Sequence, residues 1–141
     1  MAKPGPIIVV EDDPDDKDIL EDVLKDLNIP NKLIWFTNGP AAFHHLKTTS
    51  EQPLIILSDV NLPIQSGIEF KRQVDSDSEL RQKSIPFVFF STSIDQLAVN
   101  EAYTKMTVQG FFQKPGNYDQ IKNVIKVIVE YWKICRHPNS G

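Results

Sequence analysis

The sequence has little of what several classes of protein require. It contains one cysteine, Cys135, which excludes an internal disulfide and favours a reducing compartment. Its longest apolar runs have four residues, whereas a membrane span needs roughly 20. An apolar run of that length followed directly by Glu11 does not make a secretory signal peptide either. We therefore expect a cytoplasmic protein with no membrane span.

The charge is nearly balanced and the composition is ordinary. Lys and Arg number 15 and Asp and Glu number 19, and the net charge of −4 gives no electrostatic footprint for direct binding of nucleic acid. Hydrophobic residues make up 40% and charged residues 24% of the 141 positions, which is typical of a globular protein. This length predicts one domain. We place it at residues 6–135, between short tails at 1–5 and 136–141.

Five short apolar segments are predicted to be β-strands. The first, Ile7–Val10, is apolar throughout rather than alternating, which is typical of a strand that is buried on both faces of a sheet. The other predicted strands are Leu33–Phe36, Leu54–Leu57, Phe87–Phe90 and Phe111–Phe112.

A segment with helical spacing of apolar residues follows each predicted strand. The five helices are predicted to begin at Asp13–Pro14, at Gly39–Pro40, after Gly67, at a capping box over Ser93–Gln96 and at Asn117. The polar segment 75–84 is predicted to be a solvated loop or a frayed helix end. Strands that alternate with helices in this way predict an α/β fold, in which helices cover both faces of a parallel sheet.

Chemically distinctive residues follow the predicted strands. Glu11 and Asp12 come after the first, Asp59 after the third and Lys114 after the fifth, and the fourth leads into the hydroxyls of 91–93. In doubly wound folds the ligand site lies at this carboxyl edge of the sheet. Three carboxylates that lie close together repel one another unless a cation sits among them, and Mg²⁺ prefers such oxygen ligands. Lys114 and the hydroxyls would suit phosphoryl oxygens.

Each of these residues also has a simpler interpretation when it is taken alone. An acidic pair after a strand often complements the dipole of the next helix. Asp59 fits a turn, and Lys114 fits a solvated surface lysine. Their joint occurrence at the ends of different strands is what favours a common site.

The motifs together resemble the response-regulator receiver domain, the phosphoacceptor of two-component signalling. The resemblance extends from about Pro6 to Trp132 and rests on four segments: Ile7–Pro14, Ile55–Pro63 with Gly67, Ile85–Pro86 and Lys114–Pro115. The residues around Ser91, Tyr103 and Tyr131 are most similar to single-domain regulators of the cyanobacterial phytochrome-partner type. The resemblance implies a flavodoxin-like, doubly wound sheet of five parallel strands in the order 2-1-3-4-5, with five helices.

The resemblance also implies a role for each site residue. Asp59 would accept a phosphoryl group from the phosphohistidine of a sensor histidine kinase or a phosphotransfer protein. Asp12 would ligate Mg²⁺ directly, Glu11 through water and Asn61 through its backbone carbonyl, and Asp59 would belong to the same ligand set. Lys114 would pair with Asp59 or with the phosphoryl oxygens.

Two further residues would form the switch that responds to phosphorylation. Ser91 would donate its hydroxyl to the attached phosphoryl group, and Phe111 stands at the aromatic switch position. Because a phenylalanine ring has no hydroxyl, Phe111 would act through packing alone. The peptide bond before Pro115 is expected to be cis, as it is in the family.

The resemblance implies a stand-alone, cytoplasmic receiver that signals to an unidentified downstream protein. Such a protein is not an enzyme, since it would only take up a phosphoryl group on its own Asp59 and hydrolyse that aspartyl phosphate. A homodimer would use the face made by the fourth helix, the fifth strand and the fifth helix. Its charge pairs would be Asp95 and Glu101 with the lysines of the last helix, Lys122, Lys126 and Lys133.

Two alternatives to this function remain. The first is a receiver-like adaptor that works without phosphorylation. The second is a phosphatase with an aspartate nucleophile, which would want a second aspartate where Asn61 stands.

Overall fold

Five parallel strands form one sheet in the order β2-β1-β3-β4-β5. A computed structural model describes residues 5–92, 95–106 and 108–140. The strands are β1 (Ile7–Val10), β2 (Leu33–Phe36), β3 (Ile55–Ser58), β4 (Phe87–Ser91) and β5 (Gly110–Gln113). The predicted strand order is confirmed, and the predicted strands differ from these by one residue at most at either end.

Helices connect the strands and cover both faces of the sheet. They are α1 (Pro14–Asp26), α2 (Gly39–Thr48), α3 (Gly67–Ser76), α4 (Ser78–Lys83), α5 (Gln96–Lys105) and α6 (Tyr118–Ile134), followed by a 3-10 turn at Pro138–Ser140. None of the helices in the described ranges is long and apolar enough to cross a membrane.

The short helix α4 corrects the prediction of a solvated loop or a frayed helix end over 75–84, and with it the prediction of five helices in all. Asp77 caps its first turn by accepting a hydrogen bond from the Leu80 N–H, and Ser84 ends it in the left-handed conformation. Leu80 is buried in the core, and Lys47 of α2 forms ion pairs with Asp77 and Glu79. The helix depends on these contacts with other elements, which the apolar spacing of a six-residue segment does not reveal.

The core lies on both faces of the sheet, as the continuous apolar runs predict. In β1, Ile8 and Val10 pack with α2, α3, α4 and α5, whereas Ile7 and Val9 pack on the opposite face with α1 and α6. This alternation follows from the two-residue period of a strand. Because helices cover both faces, a ligand can reach the sheet only at the polar ends of its strands.

Two local predictions have different outcomes. Helix α5 begins after Asp95, which accepts a hydrogen bond from the Leu97 N–H; Ser93 and Ile94 of the predicted capping box lie outside the described residues. The expected cis bond before Pro115 is wrong, since the described peptide bonds are all trans. A trans bond before proline is favoured by about 0.5–1 kcal/mol, and with it Lys114 already reaches the acidic site.

The segment predicted as a C-terminal tail packs on the sheet. The side chains of His137 and Asn139 are buried. One ring nitrogen of His137, Nδ1, accepts a hydrogen bond from the Asn139 N–H, so Nε2 carries the hydrogen and donates it to the Leu54 carbonyl over 2.6 Å. The tail therefore covers the amino end of β3.

Candidate functional site

The predicted site residues meet at the carboxyl edge of the sheet. Carboxylate oxygens of Glu11, Asp12 and Asp59 all lie within 4.8 Å of one another. Glu11 and Asp59 follow β1 and β3, which are neighbours in the sheet, and they are buried, while Asp12 is exposed. The topology thus brings Asp59 next to an acidic pair whose second residue, Asp12, lies 47 positions earlier in the sequence.

Lys114 lies among these acids and is almost fully buried. Its Nζ donates to Glu11 Oε2 over 2.6 Å and lies 3.5 Å from Asp59 Oδ2. Its backbone N–H donates to the Ser91 carbonyl, which extends the ladder between β4 and β5 past the last strand residue. The lysine is therefore positioned by the sheet itself and contacts both buried carboxylates.

Asp16 is a member of the site that sequence reasoning did not identify. Its Oδ2 accepts a hydrogen bond from Lys114 Nζ over 3.1 Å. Asp13 caps α1, so Asp16 stands three residues later in the first turn, where its side chain reaches the end of β5. The acidic run from Glu11 to Asp16 was the only signal in the sequence, and it was attributed to the helix dipole.

The two oxygens of Asp59 have different environments. Oδ1 accepts hydrogen bonds from the Ser91 hydroxyl at 2.7 Å, the Val60 N–H at 2.7 Å and the Asn61 N–H at 3.2 Å. Oδ2 takes none of these three bonds and faces Lys114. The carboxylate is thus held by one oxygen, and the other is presented to the cleft.

Gly67 allows the loop after β3 to pack tightly against Asp59. A Cβ at this position would overlap the carbonyl oxygen of Asp59, and the Gly67 N–H donates to the Val60 carbonyl over 2.7 Å. Any larger residue would push the loop away from the end of β3. This contact explains why the motif from Asp59 to Pro63 requires a glycine four residues after the proline.

The surroundings shift the pKa values of the buried groups in different directions. Burial raises the pKa of Glu11 to about 7, and the hydrogen bond and charge of Lys114 oppose this only in part. Burial also acts to raise the pKa of Asp59, but the hydrogen bond from the Ser91 hydroxyl, the charge of Lys114 and the hydrogen bond from the Asn61 N–H lower it. Asp59 is therefore ionised at neutral pH.

The ammonium of Lys114 stays charged despite its burial. Burial alone would lower its pKa, but the hydrogen bond and charge of Glu11, together with the charge of Asp59, raise it. The site thus combines an ionised carboxylate with a fixed positive charge.

The donor set fits a hard divalent cation. Three carboxylates supply oxygen atoms at one point of the cleft, with one of the three exposed so that water ligands have room. Mg²⁺ prefers this combination of a few carboxylates and several waters. Asn61, the fourth predicted ligand, is exposed and lies two residues beyond Asp59; ligation by its carbonyl stays a prediction.

Phe111, the predicted switch residue, lies behind the site on β5. Its ring is partly buried and stands 5.2 Å from the ring of Phe89, which in turn contacts Phe87. Ser91 is the last residue of β4, the strand paired with β5. The switch residues therefore lie on neighbouring strands, two positions apart in register, and movement of Phe111 stays a prediction.

The lysines of α6 do not face the surface that was predicted for a homodimer. Lys122 and Lys126 line a depression with Asp26 at the end of α1, and Lys133 lines another with Asn28. Glu101 of α5 forms an ion pair within the chain, with Arg72. The side chains that α6 presents towards β5 are apolar instead.

The comparisons with known proteins agree with this geometry. Residues 7–126 match the family model described as the response regulator receiver domain. The chain is 30% identical over 134 residues to the response regulator Rcp1 of Synechocystis sp., covering 92% of this chain and 89% of that protein.

Two solved structures of cyanobacterial-type regulators also match. The Mn²⁺-bound form of Rcp1 has a TM-score of 0.83 at 28% identity, covering 96% of this chain and 99% of the other. The phosphorylated cyanobacterial phytochrome response regulator RcpA has a TM-score of 0.82 at 28% identity, covering 92% of this chain and 94% of the other.

Proposed function

Because this chain belongs to the response regulator receiver domain family, we propose that it accepts a phosphoryl group on Asp59 from the phosphohistidine of a histidine kinase or phosphotransfer protein. The observation that carries the proposal is the asymmetry of Asp59. Its Oδ1 is held by three donors while Oδ2 faces Lys114 inside a cluster of acids. A structural aspartate would have no need of a presented, ionised oxygen beside a buried cation.

The transfer needs little chemistry beyond positioning. Oδ2 of Asp59 forms a bond to phosphorus while the bond from phosphorus to the donor imidazole nitrogen breaks, and its electron pair stays on that nitrogen. Lys114 Nζ, which lies near Oδ2, would hold a phosphoryl oxygen during and after transfer. Ser91 would move its hydroxyl from Asp59 Oδ1 to the phosphoryl group.

Glu11, Asp12, Asp59 and the Asn61 carbonyl would hold Mg²⁺ in this proposal. A bound Mg²⁺ supplies positive charge that offsets the charge of the acids and of the phosphoryl oxygens. The Mn²⁺-bound structure of Rcp1 supports a divalent cation at this fold. Glu11 would exchange part of its contact with Lys114 for this arrangement.

The response to phosphorylation would travel through β4 and β5. Movement of the Ser91 hydroxyl would shift the end of β4. Phe111 on the neighbouring strand packs against Phe89 of β4 and would move with it. The two surface conformations of α5, β5 and α6 would then differ in their affinity for a downstream protein. The protein would signal in the cytoplasm, and self-hydrolysis of the aspartyl phosphate would end the signal; no other substrate is processed.

The surface beside β5 offers an apolar groove for a second copy of the chain. A cavity of about 380 Å³ is lined by Phe112, Val127 and Tyr131. Val127, Tyr131 and Ile134 are each more than half exposed and lie on one stripe of α6. A homodimer through this face would thus be held by apolar contacts rather than by the charge pairs expected from the sequence.

Intact mass after incubation with MgCl2 and acetyl phosphate tests the proposal. The parent protein should gain the mass of one phosphoryl group, while Asp59→Asn should gain nothing. Asp18→Asn, a change at an exposed aspartate of α1, is the matched control and should behave as the parent. Equal labelling of Asp59→Asn would place the phosphoryl group elsewhere.

A parent that binds Mg²⁺ but gains no mass would favour the alternative, an adaptor that works without phosphorylation. Multi-angle light scattering on the same samples tests the dimer. We expect the larger species only after phosphorylation, and Tyr131→Lys should remove it. A monomer both with and without phosphorylation would contradict the dimer and would leave the phosphorylation result unaffected.

A further inference from the structure

The indole of Trp35 holds the loop that carries two of the candidate metal ligands. Trp35 lies on the edge strand β2, opposite Val9 of β1. Its Nε1–H donates to the backbone carbonyl of Glu11 over 2.6 Å. This bond joins a side chain from one strand to the first residue beyond the end of another.

The indole hydrogen bond continues the pairing of β1 with β2 beyond the last pair of strand residues. The Glu11 N–H donates to the Phe36 carbonyl over 3.0 Å, and β2 ends at that residue. No strand residue follows to pair with the Glu11 carbonyl, and the Trp35 indole supplies the donor instead. The backbone of Glu11 is therefore bonded on both sides just before Asp12.

The side chain of Glu11 is held as well. Its Oε1 accepts from the Asp13 N–H over 3.1 Å and its Oε2 accepts from Lys114. Without the indole bond, the peptide between Glu11 and Asp12 would lose the donor on its carbonyl, and the direction of Asp12 relative to Glu11 would be less well fixed. Groups that orient metal ligands in this way affect metal affinity although they do not contact the metal.

The indole itself is held in place by α1. The ammonium of Lys17 lies 5.3 Å from the centre of the Trp35 ring and forms an ion pair with Glu21 over 2.9 Å. The rest of the ring packs against the core on the face of the sheet that α1 and α6 cover. The donor thus has little freedom to leave the Glu11 carbonyl.

We propose that Trp35 is a positioning residue that directs Glu11 and Asp12 towards the divalent cation, and that its fluorescence reports occupancy of the cation site. The inference rests on the proposed function, since it assumes a cation between these acids. A charge bound one peptide away from the indole donor changes the field at the ring and hence its emission. The chain has two tryptophans, so each can be observed alone.

Trp132 provides the matched control. It lies on α6, with its ring 6.1 Å from His137 at the opposite edge of the sheet. Trp35→Phe retains an aromatic ring but removes the donor, whereas Trp132→Phe makes the same change away from the acids. Affinity for MgCl2 is measured by calorimetry on the parent and both variants, together with their thermal unfolding.

We expect Trp35→Phe to bind Mg²⁺ about tenfold more weakly, which is the lower end of the loss seen when a group that orients metal ligands is removed. Trp132→Phe should bind as the parent does. In the Trp132→Phe protein, where Trp35 is the remaining tryptophan, MgCl2 should change the emission, and adding Asp12→Asn should remove the response. In Trp35→Phe the emission should stay constant.

The two fluorescence measurements made in the Trp132→Phe protein leave Trp35 unchanged, so they test its link to the site even if Trp35→Phe does not fold. The inference about Trp35 would be wrong if a folded Trp35→Phe protein bound Mg²⁺ as tightly as the parent, or if the emission of Trp35 did not change with Mg²⁺. Either result would leave the proposed cation site in place. A parent that binds no Mg²⁺ would overturn the proposed cation as well, and calorimetry on the parent separates these failures.

Discussion

The two edges of the same sheet are stabilised in opposite ways. At the carboxyl edge, four charged side chains contact one another: Lys114 with Glu11, Asp16 and Asp59. At the amino edge, the buried Lys71 that packs over Phe87 is paired with Asp75, and neutral side chains hydrogen-bond to backbone groups near the starts of the strands. These bonds join Asn31 to Gly5, Gln52 to Lys83, Gln109 to Phe87 and His137 to Leu54.

The difference shows which edge serves stability and which serves chemistry. Neutral hydrogen bonds satisfy buried backbone groups and leave no charge to be offset. The charged cluster has three acids around one lysine, which is a poor arrangement for stability and a good one for a cation and a phosphoryl group.

Backbone conformation follows the same division. Asn28 and Ser84, which lead into the amino edge, adopt positive φ values of 54° and 52° at helix ends, where such values are common. At the carboxyl edge, Ile64 has φ of 72° and is 83% exposed. A β-branched residue in this region is strained, so the loop beside Asp59 carries strain that the other edge avoids.

The largest effect is expected from removing the cation of the charged edge. Lys114→Met leaves the buried carboxylates of Glu11 and Asp59 without their positively charged partner, so we expect a loss of about 3 kcal/mol in the free energy of unfolding, measured with urea at neutral pH. MgCl2 should restore much of it, because a bound cation replaces the missing charge. Lys126→Met, at an exposed lysine of α6, should change little. A loss that MgCl2 does not reduce would argue against a cation among these acids.

The neutral edge can be weakened without touching the site. His137→Ala leaves the buried Leu54 carbonyl without its donor, and we expect a loss of about 2 kcal/mol in unfolding free energy. The rate of phosphorylation by acetyl phosphate should stay the same. His44→Ala, at an exposed histidine of α2, is the control. If His137→Ala altered the rate in the folded protein, the two edges would not be independent.

Relieving the strain at the charged edge should stabilise the protein. Ile64→Gly removes the side chain that opposes positive φ, and we expect a gain of about 1 kcal/mol in urea unfolding. Asn28→Gly is the comparison, since asparagine already tolerates this conformation, and it should gain nothing. Destabilisation by Ile64→Gly would mean that the exposed isoleucine makes stabilising contacts.

The smallest effect is expected at Asp16. Its partly exposed ion pair competes with Asp59 for Lys114, so Asp16→Ala should speed phosphorylation by acetyl phosphate about twofold, the size expected of such a pair. Asp15→Ala changes the exposed neighbour in the same helical turn and should leave the rate as it is. A slower Asp16→Ala protein would show instead that Asp16 holds Lys114 in its working position.

Much of the site could be predicted because its residues occupy the ends of strands. Glu11, Asp59 and Lys114 follow apolar segments whose pattern is visible in the sequence, and parallel strands necessarily bring their carboxyl ends to one edge. Asp16 and Trp35 could not be predicted because they do not follow the end of a strand. Each reaches the site from the side of an element rather than from its end, and the direction of a side chain depends on how helix and sheet pack.

The sequence by itself determined the five strands, their burial on both faces and the edge on which the acids gather, because these depend on the local pattern of apolar and polar residues. The tertiary structure alone decided that 78–83 is a helix, that 137–139 packs on the sheet, and that the lysines of α6 face α1. It also decided the asymmetry of Asp59. Each of these depends on partners distant in sequence, whose contacts offset the entropy of ordering the chain and leave no local pattern.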